Sequence, residues 1–361
     1  MEKYRVGIVG ATGMVGQRFI SLLKDHPWFE VKAVAASARS AGKTYREAVG
    51  DRWAFDWEIP AKVADMTVID AMDIDKVGEL VDFVFCAVDM KKDEIRALEE
   101  AYARHEIPVV SNNSACRGVE DVPMVVPEIN AAHLEVIPAQ RKRLGTQKGF
   151  IAVKPNCSIQ SYVPALTPLM DFGPEKVSVC TYQAISGAGK TFKTWPEMVD
   201  NVIPYIGGED EKSENEPLKL WGRVEDGRIV NAALPVISAQ CLRVACADGH
   251  MAAVSVTFKN KPTMEQIKDR WLNYETEAQR LELPSAPKPF LQYFEDPARP
   301  QTRLDRDFQN GFGVSIGRLR EDKIFDYRFV CLSHNTVRGA AGGGILTAEL
   351  LCRKGYIEHR H

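Results

Sequence analysis

At 361 residues the chain is too long for one ordinary core, so two domains are expected. It is 45% apolar and 26% charged with a formal net charge of −3, which leaves no electrostatic case for nucleic acid or a membrane surface. No apolar run approaches the ~20 residues needed to span a bilayer.

Residues 4–10 form a buried strand pattern with no signal-like stretch before it, so a cytoplasmic protein is expected. Gly10, Gly13 and Gly16 follow at every third position, before a helical pattern that runs to about Leu23. The first glycine permits a tight turn, the second lets backbone approach a pyrophosphate, and the third allows helix and strand to pack closely. A dinucleotide site is expected there. The second strand, Phe29 to Ala36, ends in Ser37, Arg39, Ser40 and Lys43 rather than in an acidic residue. Hydroxyls and a guanidinium suit a 2′-phosphate, so NADP is favoured over NAD. Glu30 lies near the usual spacing from Gly10 but at the far end of the parallel strand.

Strands at Thr67–Ile69, Phe83–Ala87 and Val109–Ser111 alternate with helices near 73–79 and 92–105, the pattern of a doubly wound parallel sheet. The loop from Ser111 to Glu128 leaves the carboxyl end of a strand and carries Arg117, which could pair with a phosphate. Residues 139–149 are polar and basic and read as a surface loop.

The apolar run from Phe150 to Val153 is broken by Pro155 and Asn156, and a helical pattern begins near Ile159. Cys157 therefore stands at or just before a first helical turn, where free backbone N–H groups would lower a thiol pKa. A lone cysteine there would be read as a small buried residue. The other seven cysteines form no C-x-x-C pair and no zinc spacing, so free thiols and no metal site are expected.

From about residue 157 strand-like runs dominate: Val177–Ala184, Arg228–Asn231, Ala252–Lys259, Gly313–Arg320 and Ile324–Leu332. Several follow one another without intervening helices, which predicts a largely antiparallel sheet in an α+β domain, with helix around 263–279. Gln183, Ser186 and Gly187 leave one strand among small residues. Arg243 and His250 stand seven apart across a turn; the first can clamp a carboxylate and the second can act as acid and base near neutrality. Glu209 to Lys212 is an acidic run with one cation. The glycine-rich tail, Asn335 onward, enters an apolar helix that could pack back on the first domain and cover a cofactor. With Cys157 and a nicotinamide site, these groups fit an aldehyde-to-acyl oxidoreductase.

These motifs resemble the aspartate-β-semialdehyde dehydrogenase family, end to end. The resemblance rests on Gly7–Gly16, Ser37–Lys43, Asp121–Glu128, Pro155–Ser158, Gln183–Gly189, Arg243–His250 and Arg338–Gly342, and Glu209–Lys212 with His334–Gly344 is most similar to the archaeal and fungal branch. It implies a Rossmann-type NADP-binding domain (1–156 plus 336–361) and an α+β catalytic and dimerisation domain (157–335). It implies reductive dephosphorylation of L-4-aspartyl phosphate to L-aspartate 4-semialdehyde with NADPH, within lysine, threonine and methionine biosynthesis, by a homodimer or homotetramer. Cys157 matches the nucleophile, His250 the acid/base and Gln183 the residue that positions the acyl group. Arg243 matches the clamp on the substrate α-carboxylate and Glu209 the partner of its amine. Lys212, Arg117 and Asn156 match groups around the phosphate. Gly10, Thr12, Gly13, Met14, Val15, Ser37, Ser40, Ser186, Gly187 and Asn335 match cofactor contacts, and Arg39 joins them on its charge. Relatives with the same machinery are the rivals: N-acetylglutamyl-phosphate reductase would carry Gly-Cys in place of Asn156-Cys157, and a malonyl-CoA type reductase would have little need of Lys212 and Arg117. A non-catalytic NADP-binding regulator would have lost the cysteine or the histidine, and neither is lost.

Overall fold

The computed structural model describes residues 2–360. Six short apolar strands build the first sheet: β1 Tyr4–Val9, β2 Phe29–Ala36, β3 Ile69–Asp70, β4 Phe83–Cys86, β5 Val109–Ser111 and β6 Ile151–Val153. All pairings are parallel, in the order β3-β2-β1-β4-β5-β6. The order in which strands are added reverses at β1, which lies between β2 and β4, and this opens a crevice at the carboxyl end of β1. Gly10 stands there with φ +91°, and a side chain on it would collide with the Ala87 carbonyl. A side chain on Gly16 would meet the Gly10 carbonyl, so the helix Met14–Leu23 packs directly on the strand.

A second sheet of seven strands has the order β13-β14-β15-β12-β7-β11-β8. Its members are β7 Pro174–Gln183, β8 Val202–Ile203, β11 Val236–Val244, β12 His250–Phe258, β13 Leu291–Phe294, β14 Val314–Glu321 and β15 Tyr327–Ser333; β9 Arg223–Glu225 and β10 Arg228–Val230 form a separate hairpin. The sheet is mixed rather than purely antiparallel, because β7/β11 and β13/β14 run parallel. One pairing matters for the site: parallel β7 and β11 end together, and antiparallel β12 begins beside them.

Side chains on β7 and β12 alternate between a buried and a more open face. The helices Ile159–Leu166 and Glu209–Leu220 cover the buried face. Ile159, Tyr162, Val163 and Leu166 join a core that extends from Val109 and Val153 of the first sheet to Val177 and Val254 of the second. The two bodies are thus packed through the segment that follows Cys157.

Two segments depart from the sequence reading. Residues 139–149 are not all loop: Ile137–Leu144 is a helix with Pro138 in its first turn and a left-handed Gly145 closing it. Its basic residues Arg141, Lys142 and Arg143 fill the last turn, where they oppose the helix dipole. The 263–279 stretch is two helices, Met264–Leu272 and Glu277–Arg280, each opened by a threonine capping box. The C-terminal helix Gly342–Arg353 packs back on the first body as expected: Ile345, Leu346 and Leu350 are buried with Ile8, Phe19 and Phe85 in its core. Ala278 and Leu283 join that same core, so the chain returns to the first body before the tail does.

Candidate active site

The chain leaving β6 reaches Cys157 in four residues, and the helix Ile159–Leu166 starts two residues later. Asn156 Oδ1 accepts both the N–H and the hydroxyl of Ser158 at 2.8 Å, which fills the helix entrance. Asn156 thereby occupies the donor that was expected to favour a thiolate. Burial, with Glu209 nearby, pushes the Cys157 thiol up rather than down, against the opposing fields of Lys154, Arg117 and Arg243.

His250 opens β12, fully buried, with Nε2 3.4 Å from Cys157 Sγ. Its Nδ1 accepts the Ala184 N–H at 3.0 Å. A backbone N–H only donates, so Nδ1 holds a lone pair and the neutral ring carries its proton on Nε2, facing the sulfur. Burial and the Arg243 charge push His250 down to about 3. The ring is therefore neutral at pH 7, unlike the near-neutral titration expected of an unperturbed histidine.

Gln183 and Arg243 are cross-strand partners at the ends of β7 and β11. Arg243 Nη1 donates to the Ala184 carbonyl at 2.7 Å, so the residue whose N–H orients His250 also orients the guanidinium. Gly187 lies over both: a Cβ there would stand 2.9 Å from Arg243 Nη1 and 3.0 Å from His250 Nε2. Only a glycine leaves that space open.

Glu209 starts the helix Glu209–Leu220 from the opposite side. Its carboxylate accepts from Asn156 Nδ2 at 3.0 Å, Gln183 Nε2 at 3.2 Å and Lys212 Nζ at 2.8 Å. Burial alone would raise Glu209, but Lys212 and the two amides outweigh it and hold the carboxyl below its usual range. Arg117 Nη2 donates to Asn112 O at 3.2 Å, and Nη1 pairs with Glu216 Oε1 at 3.0 Å. A cavity of about 540 Å³ lies beside Arg117, Lys212 and Glu216.

All eight residues expected to carry chemistry or bind substrate, Cys157, His250, Gln183, Arg243, Glu209, Lys212, Asn156 and Arg117, belong to this one constellation. The expected cofactor residues fall into two groups. Gly10, Thr12, Gly13, Met14 and Val15 stand at the end of β1, where the helix Met14–Leu23 starts with no side-chain cap on its N–H groups. Ser37 and Arg39 are exposed after β2, while Ser40 is buried. Glu30 lies inside β2 opposite Arg5, at the other end of the sheet. Ser186, Gly187 and Asn335 stand beside the reactive pair: Asn335 accepts the Gly249 N–H and donates to Ser186 Oγ, both at 2.8 Å.

Lys154 and Glu216 were missed in the sequence. Lys154 gave no signal beyond a charge beside the nucleophile. It is 2% exposed and hydrogen-bonded through Nζ to the Pro155 carbonyl. Burial, then Arg117, push it down to about 7. The native chain thus binds fewer protons than the unfolded chain between about pH 7 and about pH 10, and Lys154 makes stability rise with pH across that window. Below about pH 7 the full cost of burying a cation remains. Lys154→Met is expected to raise Tm most near pH 6 and progressively less toward about pH 9.5. An equal rise at both values in thermal melts would contradict this origin.

Residues 5–137 match the family described as "Semialdehyde dehydrogenase, NAD binding domain", and residues 166–338 match "Semialdehyde dehydrogenase, dimerisation domain". An aspartate-semialdehyde dehydrogenase of Schizosaccharomyces pombe is 45% identical, over 98% of this chain and 99% of that protein. The chain belongs to the aspartate-semialdehyde dehydrogenase family. An archaeal member, from Archaeoglobus fulgidus, is 43% identical over 98% of this chain and 100% of its own length. The crystal structure of aspartate semialdehyde dehydrogenase with NADP from Candida albicans superposes with a TM-score of 0.88 at 39% identity, covering 99% of this chain and 100% of that one. The resemblance to the fungal and archaeal branch therefore holds across the whole length of this family member.

Proposed function

We infer that the chain reduces L-4-aspartyl phosphate to L-aspartate 4-semialdehyde and phosphate, with NADPH as the reductant, as an enzyme of aspartate-family amino-acid biosynthesis. The observation that carries the reading is the Cys157–His250 pair at 3.4 Å, bordered by Arg243 and the Glu209–Lys212 pair. A cysteine with a donor on its sulfur suits acyl transfer. One cation and one carboxylate beside it suit the α-carboxylate and α-amine of an amino acid.

In this reading Cys157 gives up its thiol proton to solvent, the thiolate attacks the acyl carbon and the C–S bond forms, the bond to phosphate oxygen breaks with phosphate leaving on its electron pair, and a thioester remains. Bound NADPH supplies the hydride that reduces this acyl group. Collapse of the resulting hemithioacetal breaks the C–S bond, frees the aldehyde and returns the thiolate. His250 Nε2–H stabilises charge at the reacting atoms, Gln183 orients the acyl group, Arg243 holds the α-carboxylate and Glu209 the α-amine. Arg117, Lys212 and Asn156 receive the phosphate. The residues at the end of β1 fit a dinucleotide: positive-φ Gly10, the uncapped helix start, and a Gly13 whose Cβ position meets nothing closer than 3.6 Å. Gly10, Thr12, Gly13, Met14 and Val15 would hold its pyrophosphate, Ser37, Arg39 and Ser40 its 2′-phosphate, and Ser186, Gly187 and Asn335 its nicotinamide end.

The domain division we favour is 1–156 with 336–361 around the first sheet and 157–335 around the second. The more open face of the second sheet carries Tyr182, Val236, Leu242 and Met251, and we assign it to a homodimer contact within a dimer or tetramer. No helix among the described residues is long and apolar enough to cross a membrane, and cytoplasmic placement is part of the same reading.

Purified protein given aspartate semialdehyde, phosphate and NADP⁺ is expected to produce NADPH; no reaction, or reaction only with CoA in place of phosphate, would remove this function. Ser37→Asp is expected to shift kcat/KM from NADP toward NAD. A carboxylate would repel the 2′-phosphate, and a hydroxyl bond to a charged oxygen, worth roughly 1.5–3 kcal/mol, would be lost. A wild-type enzyme that uses both cofactors equally would show that this loop does not read the 2′-phosphate.

A further inference from the structure

The helix Glu209–Leu220 turns Glu209, Lys212, Glu216 and Lys219 toward the site at spacings of three and four residues. The first two touch the substrate side. The other two touch the chain that carries the reacting groups. Glu216 Oε1 pairs with Arg117 Nη1 at 3.0 Å, and Oε2 accepts the backbone N–H of Asn156 at 2.6 Å. Both side chains of the ion pair are about nine-tenths buried, at 10% and 11% exposure. Arg117 Nε is buried and has no hydrogen-bond partner among the described residues. Lys219 Nζ donates to the carbonyls of Arg117 and Val119 at 2.7 Å and of Val122 at 3.0 Å, which fixes the Arg117 loop to the same helix.

We propose that Glu216 is a positioning residue that joins the phosphate cation to the nucleophile's peptide and holds Arg117 in check, so that phosphate is bound weakly enough to leave. The proposal rests on the assignment of Arg117 to phosphate. One carboxylate spans the guanidinium and the peptide N–H one residue before Cys157. Cys157 and Arg117 therefore share a single rigid reference. Being tied to Asn156, the carboxylate cannot withdraw when an anion arrives. The incoming phosphate meets Arg117 where its side chain lines the cavity with Lys212, and finds the fixed negative charge of Glu216 beside it. That charge opposes tight binding of a product that must depart.

Glu216→Gln removes the charge and keeps one acceptor of the same reach, so Arg117 and Asn156 can no longer both be satisfied. In the phosphorylating direction, KM for phosphate is expected to fall about three- to fivefold, the size of one screened like-charge contact removed. kcat is expected to fall about tenfold or more as the peptide before Cys157 loses its register, and KM for semialdehyde to stay. A merely structural role would not move phosphate KM downward. Glu216→Asp keeps the charge on an arm too short for both partners, so it is expected to lose kcat without the fall in phosphate KM. It also stands as the test if the glutamine variant does not fold. Arg117→Leu reads the underlying assignment. A raised phosphate KM there, with an unmoved or raised value in Glu216→Gln or a lowered value in Glu216→Asp, overturns this proposal alone. An unchanged phosphate KM in Arg117→Leu overturns both.

Discussion

Cys157→Ala abolishes turnover and leaves NADP binding nearly intact. The expectation follows from where the two sets of atoms come from. The sulfur is supplied by the chain leaving β6, whereas the cofactor residues stand at the end of β1, after β2, and around Ser186 and Asn335. Removing one sulfur atom from a half-buried side chain creates little strain, so the second set keeps its geometry. Chemically the loss is complete, because no neighbouring group can form the acyl intermediate that the thiol forms. Cys86, Cys116, Cys241, Cys331 and Cys352 are buried, the half-buried Cys246 donates its thiol to the Asp248 carbonyl, and the half-buried Cys180 stands on the more open face of β7, where burial pushes its thiol up. Enzyme incubated with aspartyl phosphate and no reductant should therefore carry an acyl adduct on Cys157 alone, read by peptide mass spectrometry. More than a trace of activity in the alanine variant, with cofactor binding by titration unchanged, would end the covalent mechanism.

The parts of the molecule that could be read in advance are those whose local chemistry has one solution. Glycines at 10, 13 and 16 between strand and helix admit one backbone path, and the structure follows it. Pro155 and Asn156 end a strand wherever they stand, so Cys157 fell at a strand–helix junction. What escaped were elements whose inward face is polar. The helix Glu209–Leu220 buries Glu209, Ser213, Pro217, Lys219 and Leu220, so it has no apolar stripe and read only as an acidic run with one cation. Had its period been recognised from Glu209, Lys212, Glu216 and Lys219, Glu216 would have been visible too. Strand β11 was hidden for the same reason, since its inward series Ile237, Ala239, Cys241, Arg243 ends in a charge that belongs to the site. The direction of the Cys157 shift escaped because it depends on burial by distant segments and then on Glu209 from another helix, neither of which is local.

His250→Ala lowers kcat by about 10²–10³, the cost of losing one preorganised donor at a site of developing charge. The argument is one of proton bookkeeping. Ala184 N–H occupies Nδ1, and the proton on Nε2 points at Cys157 Sγ. Burial and then the Arg243 charge oppose a second proton, so the ring stays neutral down to about pH 3, and such a proton on Nδ1 would also face the Ala184 donor. A neutral ring that gave up Nε2–H would become an anion, so the role proposed for His250 is that of a hydrogen-bond donor to developing charge. The semialdehyde KM should move less than in Arg243→Leu, where loss of the carboxylate clamp falls mainly on binding. Two consequences separate a donor from a shuttle of protons. His250→Asn keeps an N–H donor and should retain more kcat than His250→Ala. No limb of the kcat pH profile between about pH 5 and about pH 9 should belong to His250, because a ring pushed down to about 3 does not titrate there. If asparagine is as poor as alanine and either variant abolishes a limb seen in the wild type, the ring carries the proton itself, and substrate binding must then raise its affinity for one by displacing the Ala184 contact.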